Sequence, residues 1–319
     1  MIVEVGTGIQ VLPGARASGY NLGMPGGVEL SNLDKVFWPD EGLTKGDLID
    51  YYRTVAPAIL PHLRDRPLTV IRYPNGLQGG SFYQKQTPDY APAWVRTAEF
   101  PAESGRGKRK TVRYALCNDR RTLVWFANQA SIEMHPWLSR VDRIERPEYL
   151  VLDLDPPDGR FDLAVQAALL TRDVLDNLGL RGLAKTSGAK GVHVYVPLRR
   201  THGYAEVAWA ARRVADLVAE REPDLVTTEF LKRERGGRVC LDFTRIGPGK
   251  HMAAPYSVRA RPGAPVSFPV RWEDLKRVQP TDFTIRSVPP ILERSDPWKE
   301  VCPQPQTLPG SVTQAPDRD

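Results

Sequence analysis

Val151-Leu-Asp-Leu-Asp-Pro-Pro-Asp-Gly159 is an apolar run that carries two carboxylates and closes on a turn. As a β-strand it points Asp153 and Asp155 to one face and Leu150, Leu152 and Leu154 to the other, into a core. Two carboxylates about 6–7 Å apart at a strand end can share divalent cations, as two-metal phosphoryl transfer requires. The same residues also fit a solvated strand end before a turn. The rest of the chain has to decide between the two.

Outward from this run, apolar periodicity predicts strands over residues 68–72, 112–116, 149–155, 192–196 and 239–244. Helices are predicted over 45–58, with Thr44 as N-cap, over 161–178 with Gly179 as the stop, and over 204–220. Strands and helices alternate in the second half, which points to a mixed α/β or α+β fold. Residues 1–27 hold seven glycines and read as a flexible extension, and the seven prolines from Pro289 onward make 296–319 a loose tail. The catalytic domain is expected over 28–295, with an N-terminal module to about 145 and a metal-binding core from about 146.

The 319 residues suffice for a large core, and the balance of 44 Lys and Arg against 38 Asp and Glu leaves a mild +6 that permits a polyanionic partner. Cys117, Cys240 and Cys302 lie far apart, which argues against a structural zinc site and for a reducing compartment. Neither a signal peptide nor an apolar run long enough for a membrane span is visible, so a cytoplasmic protein is expected.

Two further segments keep the carboxylates company. Ser187-Gly-Ala-Lys-Gly191 is a Gly-bracketed turn with a hydroxyl and an ammonium, entering a strand on which His193 and Tyr195 share a face. Such turns converge backbone N–H groups on an anion, although the P-loop spacing is absent. In Arg238-Val-Cys-Leu-Asp-Phe-Thr244, Asp242 offers a third carboxylate on another strand, flanked by Lys232, Arg233, Arg235, Arg245, Lys250, Arg259 and Arg261. Three carboxylates, an anion-binding turn and a cationic cluster together describe a metal–triphosphate site.

VLDLDP, TSGAKGVHVYVPL and CLDF…APYSVRAR, with SNLDKVFWPDEGLTKGDLIDYY, RYPNG, SFYQKQ and ASIEMHPW upstream, resemble the polymerase domain of bacterial ligase D, in the archaeo-eukaryotic primase superfamily. The resemblance covers nearly all of 30–262. It implies a primase-like α+β core of RRM-like antiparallel or mixed sheets flanked by helices, and a nucleotidyltransferase that adds nucleotides, preferentially ribonucleotides, at DNA ends and gaps during non-homologous end joining. It further implies two Mn²⁺ or Mg²⁺ ions per site, NTP or dNTP substrates, double-stranded ends or gaps carrying a 5′-phosphate, and Ku and a DNA ligase as partners.

Position by position, the resemblance makes Asp153, Asp155 and Asp242 the catalytic, metal-binding triad. It makes Ser187, Lys190 and His193 triphosphate ligands, with Lys232, Arg235, Arg259 and Arg261 near the phosphates and His135 near the sugar. Asn32, Lys35 and Lys45 correspond to a grip on the 5′-phosphate, and Phe82 and Tyr83 to a base-stacking pair, Tyr83 replacing the family's more usual Phe. By residue type alone, His135 and the two aromatics read as core residues, and the two lysines as a solvated helix start. No ligase or phosphoesterase module accompanies these motifs, so the chain reads as a freestanding polymerase or an excised domain. The alternatives are a primase-polymerase serving gap filling outside end joining, an inactive DNA-end scaffold, and a metal-dependent nuclease.

Overall fold

The computed structural model describes residues 27–101 and 111–313. A small hairpin, β1 (Val36–Trp38) and β2 (Leu43–Thr44), leads into helix α1 (Lys45–Leu63). Thr44 caps that helix as the sequence predicts, in a reciprocal box with Asp47. The helix runs past the predicted stop at 58 even though Pro57 and Pro61 each remove a backbone bond. Burial of Ile59 and Leu63 on its inner face holds the extra turn and a half in place.

An antiparallel sheet follows, made of β3 (Pro67–Arg72), β4 (Phe82–Gln84), β5 (Thr97–Pro101), β6 (Thr111–Leu116) and, after helix α2 (Arg120–Asn128), β7 (Ser131–Pro136). Strand β3 pairs with β7 along almost its whole length and with β6 and β4 in succession.

The second sheet is assembled from β8 (Tyr149–Asp155), β9 (Leu183–Thr186), β10 (Val192–Pro197), β11 (Val226–Thr227), β12 (Val239–Asp242) and β13 (Pro269–Val270), in the order β11-β12-β8-β10-β9-β13. All of its pairings except β11–β12 are antiparallel. Helices α3 (Phe161–Asn177) and α4 (Tyr204–Arg221) pack on it. Val194 lies on the α3 side, near Leu175, so alternation sends His193 and Asp153 to the opposite face. Strand β12 stops at Asp242, two residues before the predicted end, because Asp242 Oδ1 accepts from the backbone N and the hydroxyl of Thr244 at 2.7 and 2.6 Å. The result is the expected α+β architecture of sheets flanked by helices.

The predicted loose tail needs correction. After α5 (Val288–Arg294), the short helices α6 (Pro297–Val301) and α7 (Gly310–Thr313) dock onto the second sheet and α4. Trp298 is buried, donates to Ala184 O at 2.8 Å and packs against His62 and Tyr195. Gln306 bridges to Leu198, and Leu308 and Val312 are buried. Proline-rich composition marks a segment without long helices, but a few apolar anchors are enough to fix it. The predicted extension over 1–26 lies outside the described residues.

Candidate active site

Strand register builds the site. Asp242 on β12 stands directly opposite Asp153 on β8, and Asp153 stands opposite His193 on β10. Directly opposed residues share a face, so the three side chains form a row across three strands, with Asp155 two residues along, opposite Cys240. They face a cleft of about 730 Å³ that is also lined by Ser187, Lys190, Lys232, Arg235, Arg259 and Arg261. Ten of the sequence-predicted site residues therefore meet in one place: the three carboxylates, Ser187 and Lys190 of the turn with His193, and four of the basic residues.

Each carboxylate is engaged by a basic group. Asp155 pairs with Lys190 at 3.1 Å and Arg235 at 2.9 Å, Asp242 with Arg245 at 3.0 Å, and Asp153 faces His193 Nε2 at 3.4 Å. Among the described residues no three His, Cys, Asp or Glu side chains converge closely enough to hold an ion in this arrangement. The donor chemistry still fits: all-carboxylate oxygen sets suit hard Mg²⁺ or Mn²⁺, and the strands hold the three on one face. Burial would raise the Asp153 carboxyl, but His193 and Arg245 outweigh it and hold it below the usual range. Burial, reinforced by Lys185, pushes His193 down to about 4, so the imidazole is neutral at physiological pH.

The turn is folded around its own serine, whose Oγ accepts from the N–H groups of Ala189 and Gly191, both at 3.1 Å. Glycine is required at both brackets. A Cβ on Gly191 would come within 2.2 Å of Leu154 O, and one on Gly188, at φ +68°, within 2.6 Å of Arg259 Cγ. Arg259 donates to Ser187 O at 2.7 Å and to Glu133 at 2.9 Å, so it clamps the turn to β7. Burial would lower Lys190, but its contacts with Asp155 and Asp158 raise it overall.

His135 is not among the residues lining the cleft. It is buried on β7, with Nε2 2.8 Å from Glu133 Oε2, and is linked to the cleft through Glu133 and Arg259. Phe82 and Tyr83 lie apart from the cleft as well, on strand β4, 46% and 65% exposed, with the Arg72 guanidinium over the Phe82 ring and donating to the Tyr90 hydroxyl. Lys35 is exposed and donates to Asn75 at 2.9 Å, beside the turn that Asn32 makes at φ +53°. Lys45, expected in solvent, is instead buried, its ammonium on Ser31 O at 2.5 Å. Burial lowers its pKa, and so do the nearby charges of Lys35 and Arg72. The residues around 31–35 fold over the helix start and enclose it.

Glu133, Lys185 and Arg72 are site neighbours to which residue typing gives no role, whereas Arg245, part of the cationic cluster flanking Asp242, pairs with that carboxylate. Glu133 and Lys185 each stand two residues from a predicted site residue, His135 and Ser187, and strand periodicity would have placed them on the same face.

The sequence profile described as LigD, primase-polymerase domain, matches residues 44–298. The chain is 36% identical over 251 residues to the multifunctional non-homologous end joining protein LigD of Mycolicibacterium smegmatis, covering 78% of this chain and 32% of that protein. It is 33% identical over 289 residues to the bifunctional non-homologous end joining protein LigD of Bacillus subtilis, covering 89% of this chain and 46% of that one. It thus spans about a third to a half of these relatives' length. Among solved structures, the polymerase domain of Mycobacterium tuberculosis ligase D in complex with DNA superposes with a TM-score of 0.78 at 32% identity, over 86% of this chain and 97% of that one.

Proposed function

Because the chain belongs to the LigD primase-polymerase domain family, and so to the nucleotidyltransferases, we propose that it adds nucleotides, preferentially ribonucleotides, to DNA ends and gaps in bacterial non-homologous end joining. The observation that carries this is the row Asp242–Asp153–His193 across three strands, facing a cleft with the Ser187–Gly191 turn and a cationic rim. Asp153, Asp155 and Asp242 would hold two Mn²⁺ or Mg²⁺ ions, which when bound lower the pKa of the attacking hydroxyl and neutralise phosphate charge. Ser187, Lys190 and His193 bind the triphosphate, and Lys232, Arg235, Arg259 and Arg261 balance the charge of the leaving pyrophosphate. His135, oriented by Glu133, sits on the sugar side. The primer 3′-hydroxyl approaches along the Asp242 edge and attacks the α-phosphate in line.

Away from the cleft, Asn32, Lys35 and Lys45 grip a 5′-phosphate at the α1 N-terminus, and Phe82 and Tyr83 stack on bases. The work is done in the bacterial cytoplasm at the nucleoid, with Ku holding the end and a DNA ligase sealing it. No helix among the described residues is long and apolar enough to cross a membrane. The test is extension of a gapped, 5′-phosphorylated duplex with Mn²⁺ and NTPs. Unchanged extension by Asp153→Ala and Asp242→Ala would end the proposal.

One observation favours a second reading, a gap-filling primase-polymerase outside end joining: the Lys45 ammonium is turned inward onto Ser31, which leaves Lys35 as the exposed charge of the 5′-phosphate grip. If Lys35→Ala combined with Lys45→Ala keeps the preference for a 5′-phosphorylated gap, the second reading replaces the first.

A further inference from the structure

Lys185 is completely buried, and its nitrogen has no carboxylate within ion-pair distance among the described residues, Asp153 acting on it only from further away. Burying a lysine without an ion partner is costly, so its three neighbours are informative. These are His193 Nδ1 at 2.8 Å, Ser267 Oγ, and the face of the Tyr195 ring at 5.5 Å from the nitrogen. Lys185 and His193 are direct partners across β9 and β10, so register fixes the contact.

Proton positions follow from the hydrogen-bond inventory. The Ser267 hydroxyl donates to Thr186 O at 2.9 Å, so its oxygen accepts from Lys185. A lysine nitrogen with one hydrogen on Ser267 still has one for His193 Nδ1, and the Asp153 carboxylate, which can only accept, faces Nε2 at 3.4 Å, so Nδ1 is the accepting nitrogen. An Nδ1 that accepts places the ring proton of neutral His193 on Nε2, the nitrogen that looks at Asp153 and into the cleft.

We propose that Lys185 is a positioning residue: tethered by Ser267, it locks His193 as the Nε2–H tautomer and so presents an N–H donor to the triphosphate. What His193 touches rests on the nucleotidyltransferase function proposed above. The tautomer does not.

Long-range ¹H–¹⁵N NMR of His193 in the wild-type protein reads the tautomer directly and needs no variant that folds. An unprotonated Nδ1 with a protonated Nε2 is expected, and an Nδ1–H tautomer or a doubly protonated ring overturns the proposal. Kinetics provide the second arm. Lys185→Met should raise KM for NTP about tenfold, the loss of one charge-assisted hydrogen bond, with a smaller change in kcat. In a His193→Gln background the same substitution should add nothing further. An equal rise in both backgrounds, or no rise in either, overturns the proposal, because Lys185 would then act as packing alone. If Lys185→Met does not fold, Ser267→Ala, which keeps the lysine and removes its tether, takes its place with the same two criteria. A wild-type protein that shows the expected tautomer but incorporates no nucleotide would refute the proposed function and leave the Lys185–His193 lock standing.

Discussion

Glu133 ties the two sheets together at the site, and its carboxylate can be weighed. It accepts from His135, from Arg259 at 2.9 Å and from Ala260 N at 3.0 Å. Burial alone would raise its pKa. The His135 hydrogen bond and the Arg259 charge overcome that and hold it at about 2, against 4.5 for an ordinary glutamate. At about 1.4 kcal/mol per pH unit, the folded state favours the ionised form by about 3 kcal/mol at pH 7. Glu133→Gln keeps the shape and removes the charge, so it should cost on the order of 3 kcal/mol there. For a chain of this size that is a fall in Tm of about 6 °C or more. Because folding depresses the pKa, the contribution is complete above the unfolded value near 4.5 and drains away as pH falls toward 2. By pH 3 it should have shrunk to about 1.5 kcal/mol. Thermal unfolding of wild type and variant at pH 7, 5, 4 and 3 measures the difference directly. A gap in stability that stays constant from pH 7 to pH 3 would refute the assignment of Glu133 as a charged clamp on Arg259 and His135.

Three other outcomes are expected. Trp298→Ala removes a buried ring and its bond to Ala184 O and should cost about 3–5 kcal/mol; a Tm shift under about 1 °C would mean that residues from 296 onward do not dock in solution. Lys35→Ala, which changes only an exposed side chain bonded to Asn75, should leave folding intact. It should also reduce the slope of log affinity against log salt by about 1 for gapped DNA with a 5′-phosphate; an unchanged slope removes Lys35 from the phosphate grip. Tyr83 is 65% exposed, so Tyr83→Ala should change stability by less than about 0.5 kcal/mol while weakening binding to a single-stranded overhang by about 1–3 kcal/mol. Tyr83→Phe should bind like wild type, and equal weakening by both would shift the role from the ring to the hydroxyl.

How far the sequence could be read depended on how local the causes were. Asp153 and Asp155 share a face because a strand repeats every two residues, a fact contained in five letters. That Asp242 faces Asp153 and His193 faces it from the other side depends on β12 and β10 pairing with β8 in one register. Register between strands 40 to 90 residues apart is set by the whole sheet. Typing by residue class failed where context overrode it. Lys45 and Lys185 are buried although lysine is among the residues least often found inside. Helix α1 continues through two prolines because its inner face is packed. The segment after 296 docks on Trp298, Leu308 and Val312, single anchors without periodicity. Glu133 went unnoticed for the opposite reason: its role lies in joining residues more than 120 positions apart.

The charges of the cleft divide between two kinds of structure. Asp153, Asp155 and Asp242 are strand residues whose positions are fixed by the hydrogen-bonded ladder, whereas Lys190, Arg235 and Arg245 come from turns and loops beyond the strand ends. Three carboxylates on one face repel one another in a partly buried setting, and each loop cation relieves that repulsion. On the proposed function, a metal–nucleotide substrate brings both signs of charge. Divalent ions would take over the carboxylates, and phosphate oxygens would take over the released cations. Asp155 and Asp242 are paired with cations before such an exchange and would be paired with ions after it, so neither has to be left alone in the cleft. That requirement accounts for rigid acids set among adaptable bases: the carboxylates must stay where the reacting atoms need them, and the cations must be able to change partners.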